Sequence, residues 1–173
     1  MILLGLGANL QSKAGPPKKT FVAALADLSA AGVRIVARSR WYRTPPDPPS
    51  AQPWYLNGVV MVETALDPVA LLDLLHRIEA KYGRVRGRPN AARPLDLDLL
   101  DYDGLVRNGP GAPILPHPRL DHRAFVLQPL ADVAPGWRHP GNGRTVGEML
   151  AAMPREALST LIQDIDLEPE TGP

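Results

Sequence analysis

The chain has 173 residues, of which 45% are hydrophobic and 21% are charged, and it contains no cysteine. This length fits one compact domain with a substantial core and leaves little room for a second. The formal net charge of +1 argues against a general nucleic-acid binder, whose surface carries a strong positive field. Without cysteine, a bound metal needs carboxylates or histidines as ligands, which favours a hard cation such as magnesium.

The first strand is predicted at the apolar run from Met1 to Leu6, which stops at the turn Gly7-Ala8-Asn9. This opening run is too short to span a bilayer, and it lacks the basic segment and the cleavage site of a secretory signal. We therefore expect a cytoplasmic protein that does not associate with membranes.

Two helices are predicted, one from Pro16-Pro17 to Gly32 and one from Asp67 to Gly83. Proline suits the first turn of a helix because its missing N–H has no partner there, and Asp67 is a good N-cap before Pro68. Apolar residues recur at helical spacing in both segments, namely Phe21, Leu25 and Leu28 in the first and Leu71, Leu74, Leu75 and Ile78 in the second.

Three further strands are predicted at residues 33–42, 55–64 and 95–102, where β-branched or alternating apolar residues accumulate. In the last of these, Leu95, Leu97 and Leu99 should face the core while the intervening aspartates face away. The proline-rich stretch between the first two is expected to be an ordered loop or a lid.

The order strand, helix, strand, strand, helix, strand is typical of a ferredoxin-like α+β domain, an antiparallel sheet with helices packed on one face. C-terminal additions follow, with helical turns at 124–131 and a helix near 146–152, whose topology the sequence leaves open. We expect residues 1–160 to form one domain and 161–173 a partly disordered tail, with tail-like sequence beginning near Pro154.

Asp96 and Asp98 form the first candidate site. Because side chains alternate along a strand, both carboxylates should lie on one face, with their Cα atoms roughly 6.5–7 Å apart. An oxygen-only pair of this kind suits magnesium, which uses one or two carboxylates together with substrate phosphates and water. Taken alone, the same pattern also fits a solvated polar face.

A basic segment immediately precedes the aspartates. It contains a single acid, Glu79, among six cations: Arg77, Lys81, Arg84, Arg86, Arg88 and Arg93. Such a segment beside two carboxylates suits a metal–triphosphate complex, since arginine grips phosphate oxygens and the carboxylates hold the cations. A solvated basic loop or a small nucleic-acid patch would not explain the aspartates, and neither a P-loop nor a dinucleotide fingerprint is present.

Histidines and aromatic residues supply the remaining candidates. His117 and Arg123 are further donors for phosphate oxygens, whereas His76 and His139, judged alone, fit surface or packing positions. The segments 42–46 and 53–57 place prolines and aromatic rings beside Asn57, an arrangement that suits a flat heterocycle but is also common in simple packing.

Together these segments resemble the 6-hydroxymethyl-7,8-dihydropterin pyrophosphokinase family over about residues 1–135. The resemblance rests on Ala8-Asn9, Tyr42-Arg43-Thr44-Pro45-Pro46, Tyr55-Leu56-Asn57, Arg77-Ile78-Glu79, Gly83-Arg84-Val85-Arg86, Arg93 with Asp96-Leu97-Asp98, Pro116-His117-Pro118 and Arg123-Ala124-Phe125. It implies transfer of diphosphate from ATP to a pterin hydroxymethyl group, with release of AMP.

The resemblance also implies roles for individual residues. Asp96 and Asp98 would bind two magnesium ions, and the catalytic set would be completed by Arg84 and Arg93. The expected ATP-binding residues are His76, Glu79, Arg84, Arg86, Arg93, His117 and Arg123, and the expected pterin-binding residues are Thr44, Pro45, Tyr55, Asn57 and Phe125.

One segment departs from the family pattern. Residues 88–92 contain no aromatic residue, whereas many family members have a tryptophan ahead of the arginine that corresponds to Arg93. The alternative function is a ferredoxin-like module that binds nucleic acid through the loop from Arg84 to Arg93, but the stacking aromatics of such modules are missing from the predicted strands. We expect a monomer that acts on small molecules and binds no nucleic acid.

Overall fold

The computed structural model describes residues 1–85 and 91–164. Its strands are β1 (Ile2–Ala8), β2 (Arg34–Arg38), β3 (Tyr42–Thr44), β4 (Tyr55–Glu63), β5 (Asp96–Tyr102) and β6 (Ile162–Gln163). Its helices are α1 (Pro17–Ala30), α2 (Pro68–Lys81), α3 (Ala124–Val133), α4 (Val146–Ala151) and α5 (Arg155–Ser159), with a short 3-10 turn at Leu120–His122. No helix in these two stretches is long and apolar enough to cross a membrane.

The described strands form one antiparallel sheet in the order β5-β1-β4-β3-β6, and β2 pairs with β4 beside β3. The path β1, α1, β2, β4, α2, β5 is the ferredoxin-like arrangement, so the predicted fold class is confirmed. β1 is central, since it pairs with β4 on one side and with β5 on the other.

Helices cover both faces of this sheet. On the first face, α1 and α2 bury a core that includes Leu4, Phe21 and Leu75. Leu95, Leu97 and Leu99, which were predicted to face the core, all belong to it. On the second face, α3 and α4 bury a separate cluster that includes Leu100 and Trp137. The two helices of the ferredoxin-like domain therefore lie on one face, as predicted, and the C-terminal additions, whose topology the sequence left open, cover the other face.

The ends of α2 follow the predicted chemistry. The side chain of Asp67 accepts a hydrogen bond of 2.8 Å from the backbone N–H of Ala70, and Pro68 occupies the first turn. This cap fixes the start of the helix that carries Glu79 to the edge of the site described below.

The predicted single strand at 33–42 is wrong, because regular pairing with β4 stops after Arg38 and resumes at Tyr42. Ser39 bonds β4 here, with its Oγ accepting the Val59 N–H at 3.0 Å. Trp41 then turns into the first core against Phe21, beneath Gly58. The alternation of residues along 33–42 does not indicate that Trp41 packs beneath Gly58 of the neighbouring strand β4.

The described residues after Pro154 contain two short elements. α5 follows Pro154, and β6 pairs with β3 in the register Tyr42↔Gln163 and Arg43↔Ile162. The described part of the segment after Pro154 is therefore folded against the sheet, and residues 165–173 lie outside the described part of the chain.

Gly58→Ala should destabilise the fold by about 3 kcal/mol, the upper end of the cost of overpacking. A Cβ atom at this position would overlap the six-membered ring of Trp41. Gly136→Ala is the matched control, because no heavy atom lies within 4 Å of a Cβ atom built there. Urea unfolding gives the stability of both variants. Equal transition midpoints would show that the Trp41 side chain moves aside at no cost, which would contradict this prediction.

Candidate active site

The site lies on the second face of the sheet, at the end that α3 and α4 leave uncovered. Three strands form its floor, because Gly7 of β1 pairs with Asn57 of β4 and with Asp96 of β5. A Cβ atom on Gly7 would lie 3.5 Å from Asn57 Oδ1 and 3.6 Å from Asp96 Cβ. The glycine therefore leaves the floor open between two polar side chains, in a cavity of about 530 Å³.

Asp96 and Asp98 both line this cavity, as the alternation of β5 predicts. Burial and the neighbouring charge of Asp96 raise the pKa of Asp98 to about 6, against the opposing effect of Arg123, Arg84 and Arg93. Two carboxylates that repel each other in a partly dry cavity form a site where a cation would be favourable.

Two predicted phosphate-binding arginines are held against Asp96. Arg93 Nη1 donates to Asp96 Oδ2 at 2.7 Å, and Arg84 Nη1 donates to Asp96 Oδ1. The backbone N–H of Arg93 donates to Asn9 Oδ1 at 2.8 Å, and the Asn9 N–H donates to the Arg93 carbonyl at 3.0 Å. The end of β1 therefore fixes the backbone from which Arg93 reaches the cavity.

Glu79 lies behind the cavity wall rather than in it. Its side chain is buried, and its Oε1 accepts the Leu97 N–H at 2.7 Å and also a hydrogen bond from Arg84. Burial raises the pKa of Glu79 to about 7, although the Leu97 N–H and the Arg84 charge act in the opposite direction. The structure thus places Glu79 as a support for Arg84 and for the start of β5, and a direct ATP contact stays a prediction.

His117 lies next to this wall, between β5 and α3. Its backbone N–H donates to the Leu100 carbonyl at 2.8 Å, and its Nδ1 accepts the Arg119 N–H at 3.2 Å. Burial and the charges of Arg123 and Arg119 lower the pKa of His117 to about 4. Its imidazole is therefore neutral at pH 7, and because Nδ1 accepts a hydrogen bond, the proton is assigned to Nε2, which remains as a donor.

The side of the cavity expected to bind a pterin is built from β3, β4 and the start of α3. Asn57 Nδ2 donates to Thr44 Oγ1 at 2.9 Å, and both side chains are buried. This bond orients the amide of Asn57, so that Oδ1 lies toward Gly7. The rings of Tyr55 and Phe125 also line the cavity.

Some predicted site residues lie elsewhere. Pro45 is not part of the cavity wall, although its neighbour Pro46 is. His76 lies on α2, outside the described wall of the cavity. Arg86 falls outside the described residues, as does Arg88.

The cavity also contains residues that the sequence did not single out. These are Pro46, Asp47, Pro48, Ser50, Gln52, Val85, Ala91, Ala92 and Arg119. Five of them belong to the proline-rich stretch predicted as a loop or lid. The composition of this stretch predicted the loop, but it did not indicate which of its residues line the cavity. Arg119 stands two residues after His117. Its place beside this predicted phosphate donor is the signal from which the sequence could have identified it as a site residue.

Comparisons with known proteins agree on one family. The family model described as 7,8-dihydro-6-hydroxymethylpterin-pyrophosphokinase (HPPK) matches residues 3–135. A 2-amino-4-hydroxy-6-hydroxymethyldihydropteridine pyrophosphokinase of Methylorubrum extorquens is 42% identical over 151 residues, which are 87% of this chain and 91% of that protein. The Pseudomonas aeruginosa protein of the same name is 40% identical over 92% of this chain and 96% of its own.

Solved structures support the fold. A crystal structure of Plasmodium falciparum HPPK-DHPS matches 87% of this chain with a TM-score of 0.66 at 15% identity. The chain spans 43% of that longer protein. At this level of identity the likeness concerns the fold alone.

Glu79→Ala should reduce the free energy of unfolding by about 3 kcal/mol, because it leaves the Leu97 N–H without its acceptor and removes one of the two carboxylates that bond the partly buried Arg84. Glu79→Gln should cost less than half as much, since an amide oxygen still accepts from Leu97. Urea unfolding gives the stabilities, and hydrogen exchange of the Leu97 amide gives the local effect. Equally fast exchange in both variants would contradict this role for Glu79.

Proposed function

The chain belongs to the 7,8-dihydro-6-hydroxymethylpterin-pyrophosphokinase family, and we propose that it transfers diphosphate from ATP to 6-hydroxymethyl-7,8-dihydropterin. AMP is the second product, and the reaction belongs to folate biosynthesis. The observation that carries this assignment is the cavity, which has carboxylates and arginines on one side of Gly7 and the oriented amide of Asn57 on the other.

Asp96 and Asp98 would hold two magnesium ions together with the phosphates of ATP. The described residues contain no cluster of three or more histidine, aspartate or glutamate side chains that could hold a metal. Two carboxylates suffice for magnesium when phosphate oxygens and water complete the coordination. The raised pKa of Asp98 supports this fit, because a cation would offset the repulsion between the two carboxylates.

The arginines and His117 would bind the polyphosphate. Arg84 and Arg93 already lie at Asp96, within reach of any phosphate that shares a cation with this carboxylate. Neutral His117 would donate from Nε2. Bound magnesium would neutralise negative charge on the phosphates and lower the pKa of the attacking hydroxyl. We assign no general base.

The transfer would be a direct in-line displacement. The hydroxymethyl oxygen of the pterin attacks the β-phosphorus of ATP, and the bond from that phosphorus to the oxygen bridging it to the α-phosphorus breaks. AMP leaves with that oxygen, and the hydroxyl proton passes to solvent. No side chain of the described cavity wall is arranged as an activated nucleophile, so no covalent enzyme intermediate is needed.

The pterin would lie over Asn57. Because one N–H of this amide is used by Thr44, the second N–H and Oδ1 remain to read the donor and acceptor edge of the heterocycle. Tyr55 and Phe125 would flank its faces, while Thr44 contributes by fixing Asn57. Pro45 would act through the backbone of the loop.

The nucleic-acid alternative finds no support in the family match. Arg84 and Arg93 also turn toward Asp96 instead of forming an open basic surface. The cytoplasmic location and the monomeric state remain predictions that suit an enzyme acting on ATP and a small alcohol.

Wild-type protein mixed with ATP, magnesium and 6-hydroxymethyl-7,8-dihydropterin should form AMP and the diphosphorylated pterin. Asp98→Asn should lower the rate roughly 1000-fold, as expected when electrostatic support of phosphoryl transfer is lost. Asp73→Asn, on the exposed side of α2, is the control and should keep full activity. Chromatographic separation of AMP from ADP is the measurement. ADP as the sole nucleotide product would sink the proposal.

Asn57→Ala should raise the KM for the pterin roughly thirty-fold, equivalent to about 2 kcal/mol. The KM for ATP should change by less than about twofold, because Asn57 lies on the other side of Gly7 from the carboxylates. Asn142→Ala, in an exposed loop, controls for the substitution itself. Steady-state kinetics with each substrate varied in turn give the two KM values. Equal rises in both KM values would indicate a structural defect instead.

A further inference from the structure

Arg119 and Arg123 form a pair of cationic side chains on the α3 side of the cavity, and both line its wall. Within residues 1–85 and 91–164, neither guanidinium has an ion pair or donates a hydrogen bond. The guanidinium of Arg123 lies over the ring of Phe125, with its central carbon 5.4 Å from the ring centroid.

This pair differs from the other two arginines of the wall. The charges of Arg84 and Arg93 are shared with Asp96, and Arg84 also bonds Glu79. The acid closest in sequence to the pair, Asp121, lies 3.4 Å from His122 Nε2 instead. The α3 side of the cavity therefore has two positive charges that form no ion pair in the described part of the chain.

The two guanidiniums are close enough to influence each other. Burial and the charge of Arg119 lower the pKa of Arg123, and both arginines lower the pKa of His117. Like charges facing one cavity repel each other, and an anion placed between them would remove this cost. His117 lies beside the pair, because its Nδ1 accepts the Arg119 N–H.

The position of the pair also indicates where the anion lies. Both arginines line the same cavity as Asp96 and Asp98, and Arg119 is the more exposed of the two. A polyphosphate that shares a cation with these carboxylates would therefore be within the cavity that the pair lines. A guanidinium is suited to this task because its fork of N–H donors matches two phosphate oxygens.

We propose that Arg119 is a further phosphate-binding residue, which together with Arg123 forms an anion subsite for the polyphosphate of the nucleotide. This inference rests on the proposed function for the identity of the ligand. It adds a substrate-contacting residue to the set that the sequence alone predicted.

The test is binding of inorganic diphosphate in the presence of magnesium, measured by calorimetry. Arg119→Ala should weaken the affinity roughly tenfold, and Arg119→Lys should recover part of it, because lysine keeps the charge but not the fork. Arg155→Ala, an exposed arginine on α5, removes the same charge away from the cavity and should leave the affinity unchanged. An affinity of Arg119→Ala equal to that of Arg155→Ala would overturn the proposal.

Kinetics separate binding from structure. Arg119→Ala should raise the KM for ATP roughly tenfold while the KM for the pterin stays at the wild-type value. A parallel loss of affinity for both substrates that Arg119→Lys does not rescue would mean that Arg119 merely supports the loop, and the proposal would fail.

The two proposals can fail independently. If wild-type protein binds diphosphate through Arg119 but forms no AMP, the anion subsite stands and the proposed reaction is wrong. If AMP forms and Arg119→Ala changes neither diphosphate binding nor the KM for ATP, the reaction stands and the subsite is wrong.

Discussion

The position of β1 between β4 and β5 is the constraint on which the site depends. Its register pairs Gly7 with Asn57 on one side and with Asp96 on the other. Because neighbouring strands lie about 4.8 Å apart, the two polar residues are separated by about 10 Å across a glycine without a side chain. A heterocycle held over Asn57 and a phosphate held over Asp96 would therefore meet above Gly7. The backbone pairing, rather than any loop, sets this separation.

The same face shows how charge is organised around β5. Asp96 accepts from Arg84 and Arg93. Arg84 also bonds Glu79, which accepts the Leu97 N–H as well. Glu79 therefore links β5, the strand that carries Asp96 and Asp98, to Arg84, which bonds Asp96. Glu79 remains buried at the end of this chain, where its raised pKa reflects the cost of desolvation. Such a network holds its members in position before a ligand arrives, which limits the reorganisation needed for transfer.

Much of this arrangement follows from short-range patterns. Alternation along β5 predicted that Asp96 and Asp98 share a face, and the cap at Asp67 predicted the start of α2. Two features depend on distant contacts and were not predictable in this way. The break between β2 and β3 requires Trp41 to pass beneath Gly58, a residue of another strand. The second helical layer requires the outward-facing Leu100 to meet Trp137, and a leucine among aspartates gives no indication of that partner.

The two walls of the cavity come from distant parts of the chain, and one carboxylate joins them. Asp132 of α3 accepts from the Tyr42 hydroxyl at 2.9 Å and from Arg40 Nε at 3.2 Å, so it ties α3 to the start of β3. Arg40 also donates to Gln163 Oε1 at 3.0 Å, which brings β6 into the same network. α3 begins next to Phe125, and β3 ends at Thr44. A displacement of either wall would therefore strain this set of hydrogen bonds. The network thus helps to fix the distance between the ring of Phe125 and the amide of Asn57, which Thr44 orients.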